Sequence, residues 1–220
     1  METVPVARIR TPFGEKFGIP RQSSLEEGSV GVVVFEKEYR RPEALKGLEG
    51  FDYIWLIWEF SGNGAKWEPT VRPPRLGGNA TMGVWATRST FRPNALALSC
   101  VKLEKVDFEN CTLTVRGADL MDGTPIYDIK PYIPYADSRP EARAGWTENV
   151  QDKRLDIEFD PSVCADEEFR REISGVLALD PRPSYQDDPG RIYGMSYSGR
   201  NIRFRVCGNT LTVLEITKTE

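Results

Sequence analysis

Residues 53–60 read YIWLIWEF, apolar or aromatic at every position except Glu59. Continuous apolar character over so short a run, without a helical period, fits a strand buried on both faces or one lining a barrel. Working outward, residues 4–10, 30–36, 83–90, 99–106 and 111–118 also carry strand signals, each run bounded by Gly, Pro, Asn or Asp. A single short helix is expected over 42–50, with Pro42 at its first position and Gly50 closing it. Six strands with so little helix predict a mainly β (α+β) fold whose N-terminal part is a small barrel or sandwich.

The pattern dissolves over 137–152, where SRPEARAGWTENVQD lacks any period and reads as a connection. A second unit follows over 150–220. Residues 155–159 read as a strand, and 165–179 place Phe169, Ile173, Val176 and Leu177 at helical spacing. Three more strands over 191–197, 201–206 and 210–217 are joined by the turns SGR and CGN. The chain thus divides into a unit over 1–140 and a small α+β unit of about 70 residues. That size is marginal for an independent fold, so the second unit is expected to dock on the first or on a partner chain.

Composition sets the chemical frame. With 220 residues, 40% of them hydrophobic and 28% charged, the chain is of ordinary globular type. Its net charge of -4 argues against strong nonspecific nucleic-acid binding but leaves room for a local basic patch. No signal-like start and no apolar run of about 20 residues is present, so a cytoplasmic protein without membrane attachment is expected. Cys100, Cys111, Cys164 and Cys207 show no CxxC spacing, which predicts free thiols and no metal site. The chain contains no histidine, which removes Ser-His-Asp and Cys-His catalysis and histidine general bases together. Neither GxGxxG nor GxxxxGK[ST] occurs, so nucleotide binding of the doubly wound kind is not expected.

Residues 70–99, TVRPPRLGGNATMGVWATRSTFRPNALALS, hang Arg72, Arg75, Arg88 and Arg92 on a framework of Pro73, Pro74, Pro93, Gly77 and Gly78. Fixed φ at the prolines and freedom at the glycines predict rigid, irregular loops, and four guanidinium forks suit carboxylates or phosphates. A strand over 83–90 would put Arg88 on one face with Val84, Ala86 and Thr90. The alternative is that these arginines pair with acids of the same chain. Three further motifs carry polar chemistry. Residues 13–24, FGEKFGIPRQSS, form a basic loop. Residues 122–135, DGTPIYDIKPYIPY, form a tight turn followed by Tyr127, Asp128, Lys130 and Tyr132, and otherwise read as a polar turn into an edge strand. Residues 180–185, DPRPSY, fix Arg182 between two prolines, either capping a helix or presenting Arg182 and Tyr185 to a ligand.

Taken in order, PRQ, RPPRLGGNA, ATRSTFRPN, DGTPIYDIKPYIP and DPRPSY resemble the TrmO family, also called YaeB or TsaA-like proteins, from about Ile9 to the C-terminal strands. The resemblance implies an S-adenosylmethionine-dependent tRNA methyltransferase acting on the exocyclic nitrogen of threonylcarbamoyl-adenosine beside the anticodon. It also implies an N-terminal β-barrel that binds the methyl donor, and a homodimer. By the same resemblance Arg21, Gln22, Ser23, Gly62, Asn63, Arg88, Leu98, Asp122, Gly123, Thr124, Pro125 and Ile126 fall at the donor, with Arg88 on its carboxylate and Leu98 as an apolar wall.

Chemistry extends this list. Methyl transfer from a sulfonium needs alignment and desolvation, and a proton acceptor for the attacking nitrogen. Without histidine, Asp128 is the first candidate base and Tyr127 the second, with Lys130 pairing the carboxylate or gripping phosphate. Lys16, Arg72, Arg75, Arg92 and Arg182 are expected on RNA, and an exposed base would stack on Tyr132 or Trp67. Two other classes compete: a noncatalytic RNA-binding barrel, and a sensor or interaction module for an anionic metabolite.

Overall fold

The computed structural model describes residues 2–60, 67–77, 79–149, 153–163, 166–183, 186 and 188–219. Strands β1 (Ala7–Arg10), β2 (Val30–Phe35), β3 (Tyr53–Glu59), β6 (Leu96–Asp107), β7 (Thr112–Arg116) and β8 (Pro125–Pro131) close a barrel in the order β1-β2-β7-β6-β3-β8. Every neighbouring pair is antiparallel. Closure removes the exposed edges of an open sheet.

YIWLIWE proves to line the barrel rather than lie buried on both faces. Ile54, Leu56 and Trp58 point into the core beside Ile9, Val33, Val101, Leu113, Val115 and Ile126, while Tyr53, Trp55 and Ile57 are half-buried outside. The outer aromatics have their own cover. Tyr132 packs on Tyr53 and Trp55, with ring centroids 6.3 and 5.8 Å apart, and Trp55 Nε1 donates to Asp137 at 3.1 Å.

Six barrel strands are present, but one differs from expectation. Residues 83–90 are not a strand: only Met82–Gly83 (β5) pairs, in a two-residue ribbon with Thr70–Val71 (β4), and Val84–Ala86 turns as a 3₁₀ helix. Arg88 therefore shares no pleated face with Val84 and Ala86. The sixth strand is β8, which runs between β1 and β3 instead of forming an edge. Its outward Asp128 and Lys130 and its flanking prolines hide the apolar period in the sequence. The short helix is split, as Pro42–Leu45 (α1) and a 3₁₀ turn over Leu48–Gly50, with Gly47 left-handed between them at φ 88°.

The C-terminal sheet has the order β10-β11-β12-β9, from Asp156–Phe159 (β9), Ile192–Tyr197 (β10), Arg200–Cys207 (β11) and Thr210–Lys218 (β12). The intervening short helix Pro134–Asp137 (α2) precedes it, and Glu167–Ala178 (α3) covers it, capped where Asp166 accepts from the Phe169 N–H at 2.8 Å. Ser198 and Gly199 both take positive φ, 51° and 68°, as the turn between β10 and β11 requires. The core of this unit contains Phe169, Ile173, Leu177, Met195, Tyr197, Ile202, Phe204, Leu211 and Val213. It also takes in Phe13 from the N-terminal segment, with Phe17 and Ile19 packed against it. Residues 11–24 thus leave the barrel as an arm. Ser198 N–H donates to Pro12 C=O at 2.8 Å, and Ser196 N–H to Glu15 at 2.7 Å.

Candidate functional site

Where the arm turns back toward the barrel, it closes a cavity of about 740 Å³. The close approach depends on Gly117, at φ 76°: a Cβ there would stand 3.1 Å from Ser24 N and Cα. Ser24 N–H donates to Gly117 C=O at 2.9 Å, Ser24 Oγ to Cys100 C=O at 2.9 Å, and Cys100 N–H to Ser23 Oγ at 3.2 Å. The arm is thereby laced to β6 and to the segment after β7.

One wall of the cavity is apolar, from Ile57, Leu96 and Leu98; the last is 52% exposed. The lining also gathers Lys16, Arg21, Arg88 and Arg92. Arg88 donates through Nη1 to Gln22 Oε1, and Gln22 Nε2 donates to Arg21 C=O at 2.7 Å. Arg21 in turn reaches the C-terminal unit, its Nη2 donating to the carbonyls of Asp180 and Arg182 at 3.1 and 3.2 Å. A guanidinium held by an amide, beside an apolar wall, suits a ligand with one carboxylate end and one flat apolar end.

The floor holds a directed chain of hydrogen bonds. Trp58 Nε1 donates to Ser99 Oγ at 2.9 Å, and Ser99 Oγ donates to Asp119 Oδ1 at 2.5 Å. Burial pushes the Asp119 carboxyl above the usual carboxylate range, while Ser99, nearby backbone N–H groups and the Arg88 charge pull it back only in part. Glu59, at the rim, accepts the Tyr127 hydroxyl. This bond, with burial second, raises the Tyr127 phenol above its ordinary value.

Of the residues expected at the donor, Arg21, Gln22, Arg88, Leu98 and Thr124 line the cavity. Ser23 stands behind them on Cys100, and Gly62 and Asn63 lie outside the described residues. Asp122 shapes the turn: its carboxylate accepts from Thr11 N–H at 3.0 Å and from Arg10 at 3.3 Å, and Gly123 N–H donates to Ile9 C=O at 2.8 Å. Pro125 is buried, and Ile126 has 0% exposure in the barrel core.

The catalytic candidates split. A register shift opposite Ile57 and Trp58 bulges Tyr127 out of β8 toward Glu59. Asp128 and Lys130 pair with each other at 2.8 Å and are not among the lining residues.

Among the cations expected on RNA, Lys16 and Arg92 border the cavity. Arg72 and Arg75 lie in the loop joining β4 to β5. Arg182 is 8% exposed and forks onto Asp180 at 2.9 and 3.0 Å. Arg92 donates to the carbonyls of Val84 and Thr87 at 3.2 and 2.8 Å, with its guanidinium 5.2 Å from the Trp85 ring centre. Trp85 is 69% exposed, and Trp67 and Phe91 are also exposed.

Sequence reasoning missed Asp119, Ser99, Trp58 and Glu59. The signal for Asp119 was an acid set between Ala118 and Leu120, both apolar, just before the DG turn. Its place in a wall is decided by the arm, which lies a hundred residues away in sequence.

Both units of the chain match known families. Residues 8–138 match the family model of the tRNA-methyltransferase O N-terminal domain, and residues 153–219 that of the TrmO C-terminal domain. The chain is 39% identical over 211 residues to the tRNA (adenine(37)-N6)-methyltransferase of Escherichia coli (strain K12), covering 90% of each chain. It is 45% identical over 161 residues to the enzyme so named from Eikenella corrodens, covering 71% of this chain and 91% of that one. Among solved structures it is similar to a crystal structure of TrmO, with a TM-score of 0.82, 32% identity and 99% of both chains covered.

Proposed function

This chain belongs to the TrmO family, and from that premise we propose that its cavity seats S-adenosylmethionine while the neighbouring basic lobe receives the anticodon loop of tRNA. The chain is an S-adenosylmethionine-dependent tRNA (adenine(37)-N6)-methyltransferase. Its described residues include no helix long and apolar enough to cross a membrane.

The observation that carries the donor assignment is the Arg88–Gln22 pair in a cavity of about 740 Å³ that Ile57, Leu96 and Leu98 also line. The bound donor supplies a methyl group already activated on a sulfonium. Arg88 grips the donor's carboxylate with Gln22 and Arg21 behind it. Ile57, Leu96 and Leu98 cover its flat end and keep water from the reacting atoms, and Thr124 hydrogen-bonds its polar edge. Gly62 and Asn63 belong to the same proposed set. The acceptor nitrogen is that of threonylcarbamoyl-adenosine. Lys16 of the arm and Arg72 and Arg75 of the β4–β5 loop meet backbone phosphates, local positive charge in a chain of net charge -4. The enzyme works in the cytoplasm as a homodimer.

Titration calorimetry with S-adenosylmethionine tests the donor site. The wild-type protein binds saturably, and Arg88→Ala weakens binding by roughly tenfold to a hundredfold, the worth of a hydrogen bond to a charged group. Affinity within twofold of wild type would remove Arg88 from the donor site.

A further inference from the structure

Resting on that functional reading, we propose that Asp119 is the proton acceptor of the methyl transfer, taking the N6 proton of the adenosine as the new N–CH₃ bond forms. Among the described residues the cavity carries two carboxylates, Glu59 and Asp119. Glu59 already accepts the Tyr127 hydroxyl at the rim. Asp128, the acid that the sequence pattern favours, is bound to Lys130 and its carboxylate also accepts the Ile129 N–H at 2.9 Å.

Asp119 differs in being held ready to accept. An indole N–H can only donate, so Ser99 Oγ must accept from Trp58, and the Ser99 hydroxyl proton is left pointing at Asp119 Oδ1. That hydrogen bond occupies one side of Oδ1, which makes Oδ2 the better-placed oxygen for an arriving proton. Backbone N–H groups of Ser23 and of Asp119 itself also approach the carboxylate. Burial raises the affinity of this carboxylate for a proton, as a base requires, while the Ser99 hydrogen bond first and then backbone N–H groups and the Arg88 charge favour its ionised form.

The step balances within the two substrates and this side chain. The N6 lone pair closes on the methyl carbon, and the carbon–sulfur bonding pair stays on sulfur, which becomes a neutral thioether. The N6–H pair returns to nitrogen as its proton passes to Asp119 Oδ2. Asp119 then releases that proton to water. Trp58 and Ser99 act through Asp119 and are positioning residues.

The test uses the full chain, threonylcarbamoylated tRNA and S-adenosylmethionine. Asp119→Asn keeps the size and still accepts from Ser99 through its amide oxygen. It is expected to lower kcat by about 10²- to 10⁴-fold while the calorimetric Kd for the donor changes less than about threefold. Ser99→Ala keeps the carboxylate but removes a bond that favours its charged form. The acidic limb of the wild-type pH–rate profile is therefore expected to move upward, and so is the Asp119 carboxyl signal in infrared difference titration of the donor-free protein. A kcat for Asp119→Asn within threefold of wild type overturns the proposal. So does a loss carried wholly by donor affinity, or an unmoved titration in Ser99→Ala. Absence of any methyl transfer by the wild-type protein would instead sink the functional reading beneath it.

Discussion

Tyr197 holds its proton more tightly than a solvated tyrosine, chiefly because it is buried and next because its hydroxyl donates to Glu172 at 2.7 Å. The folded-state value lies above the unfolded value of 10.0. The stability that follows is complete below pH 10 and is lost as pH rises beyond it, where the unfolded phenol ionises and the folded one does not. Urea unfolding from pH 9 to 11 should show an alkaline slope approaching about 1.4 kcal/mol per pH unit from this one group. Tyr197→Phe should flatten that slope; an unchanged slope would place the alkaline sensitivity elsewhere. At this scale the sequence was legible where a side chain meets the cavity from its own local motif, as Arg88, Gln22 and Leu98 do. It was not legible for Asp119, whose environment is made by Ser99, Trp58 and Ser23 from three other segments.

Elements explain the remaining differences. The run GVWATRST alternates well enough to read as a strand, yet beyond Gly83 it finds no pairing partner among the described residues. Instead it coils into a 3₁₀ turn fastened by Arg92 to the carbonyls of Val84 and Thr87, and Trp146 Nε1 donates to Ala86 C=O at 2.8 Å. Pairing is a tertiary event, and propensity alone could not supply it. The consequence is functional: the turn leaves Trp85 exposed to solvent with the Arg92 guanidinium against its ring, in the segment that also carries Arg72, Arg75 and Arg88. Stacking on an unpaired base of the anticodon loop would be worth about 1–3 kcal/mol. Trp85→Ala is therefore expected to weaken tRNA binding by about tenfold, with donor affinity and sedimentation unchanged. A change in sedimentation with tRNA affinity intact would assign Trp85 to a protein contact instead.

In the whole molecule, two hydrophobic cores share one N-terminal arm. The arm gives Phe13 to the C-terminal core, then returns with Ser23 and Ser24 to seal the cavity against β6 and Gly117. The C-terminal unit therefore braces the proposed donor site, through Arg21 and the carbonyls of Asp180 and Arg182. Strand period and turn residues made a small barrel or sandwich and a second α+β unit readable, and the family resemblance chose the barrel. Their stitching was not readable, because residues 13–24 lack any period and resemble a solvated loop. With no histidine anywhere in the chain, the whole reaction must run on carboxylate, phenol and guanidinium chemistry around an activated methyl group. The measurement that tests this account most directly is transfer of labelled methyl from S-adenosylmethionine to matched tRNAs with and without the threonylcarbamoyl group at the adenosine beside the anticodon. The account predicts labelling of the modified tRNA alone; equal labelling of both, or of neither, would contradict it.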